Sequence, residues 1–256
     1  MTVFNTYIGI DYSGAKASVS RLRQLQIYES MSPLEPVTVQ PFDKGATNWC
    51  RKEVARYMKE SLLSKPRIIV GIDHGLSFPS GYFNLHKLKN WDEFLNYFSN
   101  IWQMDRDHMY VDFIRNKIVN EESNTDYRLC ERWVPGTKSV FHFDVQGSVA
   151  KSTHAGLPWI RRLRNDPAIR ARTHFWPFDG FRVAEGKSVV AEIFPSLFRR
   201  RYKKDDRTDD QHDAYVVSAW LREMDVRGAL VEYFNPPLTL PERQLAQLEG
   251  WILGVR

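Results

Sequence analysis

The chain has 256 residues, 43% hydrophobic and 26% charged, with a net charge of +5 and a pI near 9.1. That is the balance of a soluble globular protein. Its two cysteines, Cys50 and Cys130, without CxxC or HxxxH spacing, exclude a disulfide framework and a zinc site of ordinary spacing. No apolar run approaches the roughly 20 residues of a bilayer span, and the opening MTVFNTYIGID has no basic leader region, so a cytoplasmic protein without membrane contact is expected.

Thr6–Asp11 (TYIGID) is apolar and β-branched and breaks at Tyr12-Ser13-Gly14, which predicts a strand ending in a turn. Ala17–Arg23 alternates and predicts a second strand returning as a hairpin, with a third short strand near Pro36–Gln40. From Ala46 to Leu63 the period becomes helical, through Trp49, Val54, Tyr57, Met58 and Leu62, and Pro66 ends the helix. Arg67–Asp73 (RIIVGID) is continuously apolar, the pattern of a strand buried on both faces. The aromatics between Phe78 and Trp102, helically spaced from Trp91, are expected in the core rather than stacked on bases. Residues 78–145, including the polar stretch Arg106–Thr137, read as an insertion covering the sheet within one domain, 1–256. A helix is expected over Gln146–Arg164, interrupted near Gly156-Leu157-Pro158, and a last strand over Ser188–Phe194. Asp209–Glu223 is a helix with an acidic first turn suited to its dipole, and a short helix follows over Pro241–Gly250 (PERQLAQLEG).

Two strands therefore end in the same tripeptide, Gly9-Ile10-Asp11 and Gly71-Ile72-Asp73. A carboxylate closing a buried strand costs desolvation unless it is paired or binds a cation. Glu192 ends a third apolar strand, and Asp213, with Asp210 one turn earlier, shares a helix face with Val217. Clustered carboxylates without soft ligands favour Mg2+ or Mn2+. Two such ions about 3.5–4 Å apart hold the attacking water and leaving oxygen of an in-line phosphoryl displacement. The expected metal ligands are Asp11, Asp73, Asp213 and Glu192, which also form the catalytic set, with Asp210 as a further ligand and Asp11 shared by both ions. Arg161 and Arg162 in one basic cluster, and Arg199, Arg200, Arg201 and Lys203 in another, are candidates for tracking a phosphate backbone. His74, His212, Ser13 and Lys151 are weaker site candidates. Each aspartate also has a plainer reading as a turn or helix cap.

The order of hairpin strands, helix, buried strand ending in acid, insertion and late acidic helix resembles the RNase H-like superfamily. More closely, the chain resembles the domain-of-unknown-function family numbered 429, predicted RNase H-like nucleases. The likeness rests on GIDYSGA at 9–15, GIDHGLSFP at 71–79, GLPWIRRLR at 156–164, AEIFPSLFRRRY at 191–202, HDAYVVSAWL at 212–221 and EGWILGV at 249–255. The resemblance implies an α/β fold with a mixed five-stranded sheet flanked by helices, an insertion between the fourth and last strands, and catalytic acids at Asp11, Asp73 and Asp210/Asp213. It places Glu192 on a late strand, where RNase H proper instead carries a glutamate on the helix after its third strand; Glu53 and Glu60 stand at that location. The expected activity is metal-dependent hydrolysis of nucleic acid. Two other readings compete: a non-catalytic nucleic-acid-binding or scaffold protein on the same fold, and an actin-like ATPase or sugar-kinase-type enzyme, whose first strand also ends in Gly-Ile-Asp.

Overall fold

A computed structural model describes residues 3–117 and 126–256. Strands β1 (Thr6–Asp11), β2 (Gln26–Ser30) and β3 (Val37–Thr38) form an antiparallel meander. Helix α1 (Arg51–Ser64) carries the chain back so that β4 (Ile68–Asp73) runs parallel to β1. A helical region follows: α2 (Ser80–Leu85), α3 (Trp91–Ile101), α4 (Val111–Arg115), α5 (Leu129–Trp133), α6 (Ala150–Asn165) and α7 (Pro167–Arg172). Strands β5 (Thr173–Phe175) and β6 (Ser188–Glu192) complete the sheet, and α8 (Asp209–Val226), α9 (Leu230–Tyr233) and α10 (Leu240–Glu249) close the chain. The result is a mixed six-stranded sheet in the order β3-β2-β1-β4-β6-β5, with helices on both faces. Among the described residues no helix is long and apolar enough to cross a membrane.

Strand parity explains why β1, β4 and β6 read as unbroken apolar runs. Ile8, Ile10, Val70, Ile72 and Val190 face the core shared with α1, α3 and α6. Tyr7, Ile69, Val189 and Ala191 face the core shared with α8. Both faces are covered, so neither alternate set is polar.

Helix α8 lies directly on β1 and β4, and the two strand glycines are the reason it can. Gly9 and Gly71 are register partners. A Cβ on Gly9 would stand 2.1 Å from the Ala214 carbonyl oxygen and 2.7 Å from the Ser218 nitrogen, both main-chain atoms of α8. At Gly71 the obstacles are side-chain ends, Ile193 Cδ1 and Val217 Cγ1, each at 2.6 Å. Gly9→Ala is therefore expected to cost about 3 kcal/mol, whereas Gly71→Ala, whose neighbours can rotate away, costs about 1 kcal/mol. Urea midpoints at unchanged m-value measure both. Polar ties set the helix lengthwise. Asp225 accepts from the main-chain nitrogens of Val3 (3.0 Å) and Phe4 (2.8 Å) and from the Tyr7 hydroxyl (2.8 Å), while Ser218 Oγ donates to the Tyr7 carbonyl (2.8 Å). The twelve residues from Asp225 back to Asp213 span roughly 18 Å of helix, close to the length of β1. Asp213 thus arrives at the carboxyl end of that strand.

Several expectations need correction. The sheet has six strands, not five: β5 is a three-residue edge strand, too short to show a period. The second strand is Gln26–Ser30 rather than Ala17–Arg23. The earlier stretch is a loop held by tertiary contacts, in which Ser18 Oγ donates to the Arg106 carbonyl, Arg21 pairs with Glu53, and Leu22 bridges to Trp49. α6 runs unbroken through Pro158, with Gly156 pressed against the His74 ring. Within 78–145 the described residues include α2 to α5 and bury Phe78, Phe98 and Trp102 around His154. Residues 118–125 of that region lie outside the described residues.

Candidate metal centre

Asp11 and Asp73 close adjacent parallel strands in exact register, which sets their Cα atoms about 4.8 Å apart. Counting back by twos through Gly9 and Gly71, both side chains belong to the α8 face. Thr208 starts α8 with a capping box: its Oγ1 accepts from the Gln211 nitrogen (3.3 Å), and Gln211 Oε1 accepts from the Thr208 nitrogen (3.0 Å). Asp210, Asp213 and Val217 then share one side of the helix, and Val217 is the residue whose Cβ lies 2.9 Å from the absent Cβ of Gly9. Four aspartates so meet at the carboxyl ends of the central strands, where open α/β sheets place their sites.

The electrostatics mark them as one group. The Asp11 carboxyl is pushed well above the usual carboxylate range by burial first, then by Asp73, Asp210 and Asp213. Asp73 is raised by burial, Asp213 and Glu192, and Asp210 by burial and then by Asp213 and Asp209. Asp213 alone has a counter-ion: Arg199 Nε donates to its Oδ1 at 2.6 Å, and Nη2 to its Oδ2. Among the described residues Asp11, Asp73 and Asp210 make no ion pair, although 22 such pairs occur elsewhere. Also among the described residues, no three His, Cys, Asp or Glu side chains stand already gathered as a metal cage. One of the four aspartates is turned to Arg199 instead.

Glu192 departs from the expected ligand set. Its register partner is Ile72 rather than Gly71, so parity assigns it to the sheet face opposite α8. There it is held by Arg128, whose Nη1 and Nη2 donate to Oε2 and Oε1 at 2.7 and 2.6 Å, and by the Leu76 nitrogen at 3.0 Å. A buried carboxylate with this many donors is satisfied without a metal.

The remaining candidates are also placed elsewhere. His74 is buried, its pKa lowered to about 4 by desolvation, with Nδ1 2.8 Å from the Gly75 carbonyl oxygen and its ring edge-on to Tyr12. His212 is likewise lowered by burial and turns Nε2 toward the Arg199 carbonyl at 3.4 Å. Ser13 Oγ accepts from the Ala15 nitrogen within its own turn, and Lys151 pairs with Asp112. Lys151 abuts the turn after β1 through its carbonyl, 1.9 Å from where a Gly14 Cβ would lie. Arg161 and Arg162 stand roughly 15 Å further along α6, engaged by Asp105. Arg199 adjoins the aspartates, Arg201 pairs with Glu223, and exposed Arg200 and Lys203 form no ion pair among the described residues.

Two supporting residues escaped sequence reasoning. Arg51 clamps the loop that follows Asp11, and Arg128 holds Glu192. Each is an isolated arginine whose burial comes from long-range packing, so no local pattern flags it. Comparison with family models, with curated proteins and with solved structures finds no match to this chain.

Proposed function

We propose that this protein is a Mg2+- or Mn2+-dependent nuclease, hydrolysing phosphodiester bonds of nucleic acid at Asp11, Asp73 and Asp213, with Asp210 beside them. The observation that carries this reading is the registered Asp11–Asp73 pair beneath Asp210 and Asp213, three of the four in no ion pair among the described residues. Mutual repulsion in a buried site is an unmet demand for positive charge, and an all-oxygen donor set suits hard divalent ions. The order β3-β2-β1-β4-β6, with acids ending β1 and β4 and a late acidic helix across them, also supports the RNase H-like reading of the fold.

Divalent ions bound there would supply a more acidic water and charge for the leaving oxygen. The chain's own residues do the rest. Asp11, on the inner strand and facing the other three, is placed to be shared. Gly9 and Gly71 keep α8 close enough for Asp213 to reach the pair. Arg199 presents a planar fork that suits the two non-bridging oxygens of a phosphodiester, and Arg200 and Lys203 extend positive charge along the exposed side. Glu192 is assigned to holding the fold rather than to the chemistry.

The test is a panel of labelled DNA, RNA and hybrid substrates with Mg2+, Mn2+ or EDTA. Cleavage is expected with either metal, to stop in EDTA, and to fall about a hundred- to a thousandfold in Asp11→Asn. Undiminished cleavage by that variant would overturn the assignment.

A further inference from the structure

A pocket lies at the opposite end of the sheet from the aspartates. Its volume is about 750 Å³, and it opens beside Phe4, Arg67 and Lys187, residues that precede β1, β4 and β6 rather than follow them. The length of a strand, roughly 20 Å, separates it from the aspartates. Its floor is apolar: Phe4, Leu230 and Phe234 are buried, and the rings of Phe4 and Phe234 meet edge-on at 6.3 Å. Phe181 and Val183, on the connection from β5 to β6, form a wall.

Four cations surround this floor, Arg67, Arg182, Lys187 and Arg243, against one carboxylate, Glu185. Among the described residues none of these five forms an ion pair, whereas Arg21, Arg128, Arg164 and Arg199 all do. Neutral groups hold two of the cations in place. Arg67 Nη2 donates to Asn5 Oδ1 at 2.9 Å. Arg243 donates to Asn235 Oδ1 (2.8 Å) and to the carbonyls of Pro236 (2.9 Å) and Leu238 (3.2 Å), with its guanidinium 4.9 Å from the Phe181 ring centroid. Arg67 also sits at φ +47°, a left-handed conformation that a non-glycine residue adopts only when its surroundings impose it. Cations without counter-ions among the described residues, beside aromatic carbon, suit a ligand with both features. Inorganic phosphate leaves the apolar floor unused, and a neutral hydrocarbon leaves the charges unused.

We propose that this pocket binds an organic anion, an apolar body carrying a carboxylate, sulfonate or phosphate at one end. The volume falls in the range of small-molecule sites. The proposal is independent of the catalytic reading. Its occupant lies at the start of the strands, and none of its residues belongs to the metal centre.

The test titrates the whole protein with 8-anilinonaphthalene-1-sulfonate, whose fluorescence rises in an apolar site, and with the uncharged N-phenyl-1-naphthylamine. Saturable one-site binding of the sulfonate is expected, with about tenfold weaker binding of the neutral compound. The charge-reversed pair Arg182→Glu/Lys187→Glu is expected to lose about tenfold in sulfonate affinity, as is Val231→Trp, which narrows the pocket from its exposed rim. Unchanged melting temperatures establish that these surface variants remain folded. Equal affinity for the uncharged compound, no saturable sulfonate binding, or unchanged affinity in either variant overturns the proposal.

Discussion

Asp11→Asn is expected to make the metal-free protein more stable, not less, while removing its response to Mg2+. In the folded chain the Asp11 carboxyl is held well above the usual range by burial and by Asp73, Asp210 and Asp213, whereas in the unfolded chain it titrates near 4. A group raised in this way favours folding fully below its unfolded pKa, and that contribution is lost as pH rises through the folded pKa. At neutral pH without metal, the charged cluster therefore works against the fold. The neutral amide removes one charge and is expected to recover about 1–2 kcal/mol, roughly 2–8 °C in melting temperature for a chain of this size. The same logic predicts that wild-type stability in EDTA declines from about pH 4 upward more steeply than that of the variant. Millimolar Mg2+ should then raise the wild-type midpoint and leave Asp11→Asn nearly unmoved, because a metal centre built on Asp11, as proposed, would bind the ion tightly only in the wild-type native state. Calorimetric scans with EDTA and with Mg2+ measure all three effects. A destabilised Asp11→Asn would return Asp11 to a structural capping role. A wild type indifferent to both Mg2+ and Mn2+ would favour a non-catalytic protein in which Arg199 is the permanent counter-ion of Asp213.

Arg128→Met is expected to have the larger effect on folding, a loss of about 3–5 kcal/mol. Arg128 is fully buried and stands among three buried carboxylates, Glu131, Glu192 and Glu249. It donates to Glu131 through Nε at 2.8 Å and to Glu192 through both terminal nitrogens. Glu249 is held by main-chain donors, the nitrogens of Ser80 and Leu129, each at 2.6 Å. This cluster joins α5, β6 and the end of α10. Removing the arginine leaves Glu192 and Glu131 buried without their cation, and a buried charge that has lost its partner costs far more than the intact pair contributed. Burial already raises Glu131 above its ordinary value. The double variant Arg128→Met/Glu192→Gln should be less destabilised than Arg128→Met alone, with a coupling of about 2–3 kcal/mol in a denaturant-based cycle. Additive effects would mean that Glu192 is not held by Arg128. Glu192→Gln should retain nuclease activity under conditions where it remains folded. Its inactivation in the folded state would restore Glu192 to the catalytic set.

The architecture was legible where the pattern is local. β1, β4 and β6 announced themselves as apolar runs because both faces of each strand are covered, and α3, α8 and α10 through helical period and capping residues. The repeated Gly-Ile-Asp stands out for its acids, but its glycine has a separate cause. Gly9 and Gly71 are small because the α8 backbone and side chains occupy the space above them. The strand Gln26–Ser30 was missed because the alternation of Ala17–Arg23 is as good a strand pattern as its own. Arg51, distant in sequence, holds the loop through Ser13, Ala15 and Lys16.

What the sequence determined by itself is the set of chain segments and the presence of acids at their ends, since period, caps and turn residues act within a few positions of one another. What only the tertiary structure decided is which acids face each other. Register aligns Asp11 with Asp73, and the placement of α8 adds Asp210 and Asp213. A one-residue difference in parity turns Glu192 to the far face, where Arg128 holds it. The four cations about the second pocket, in no ion pair among the described residues, come from three segments, at Arg67, at Arg182 and Lys187, and at Arg243. Parity across a sheet and the convergence of distant segments are properties of pairing and packing, and no local window of sequence contains them.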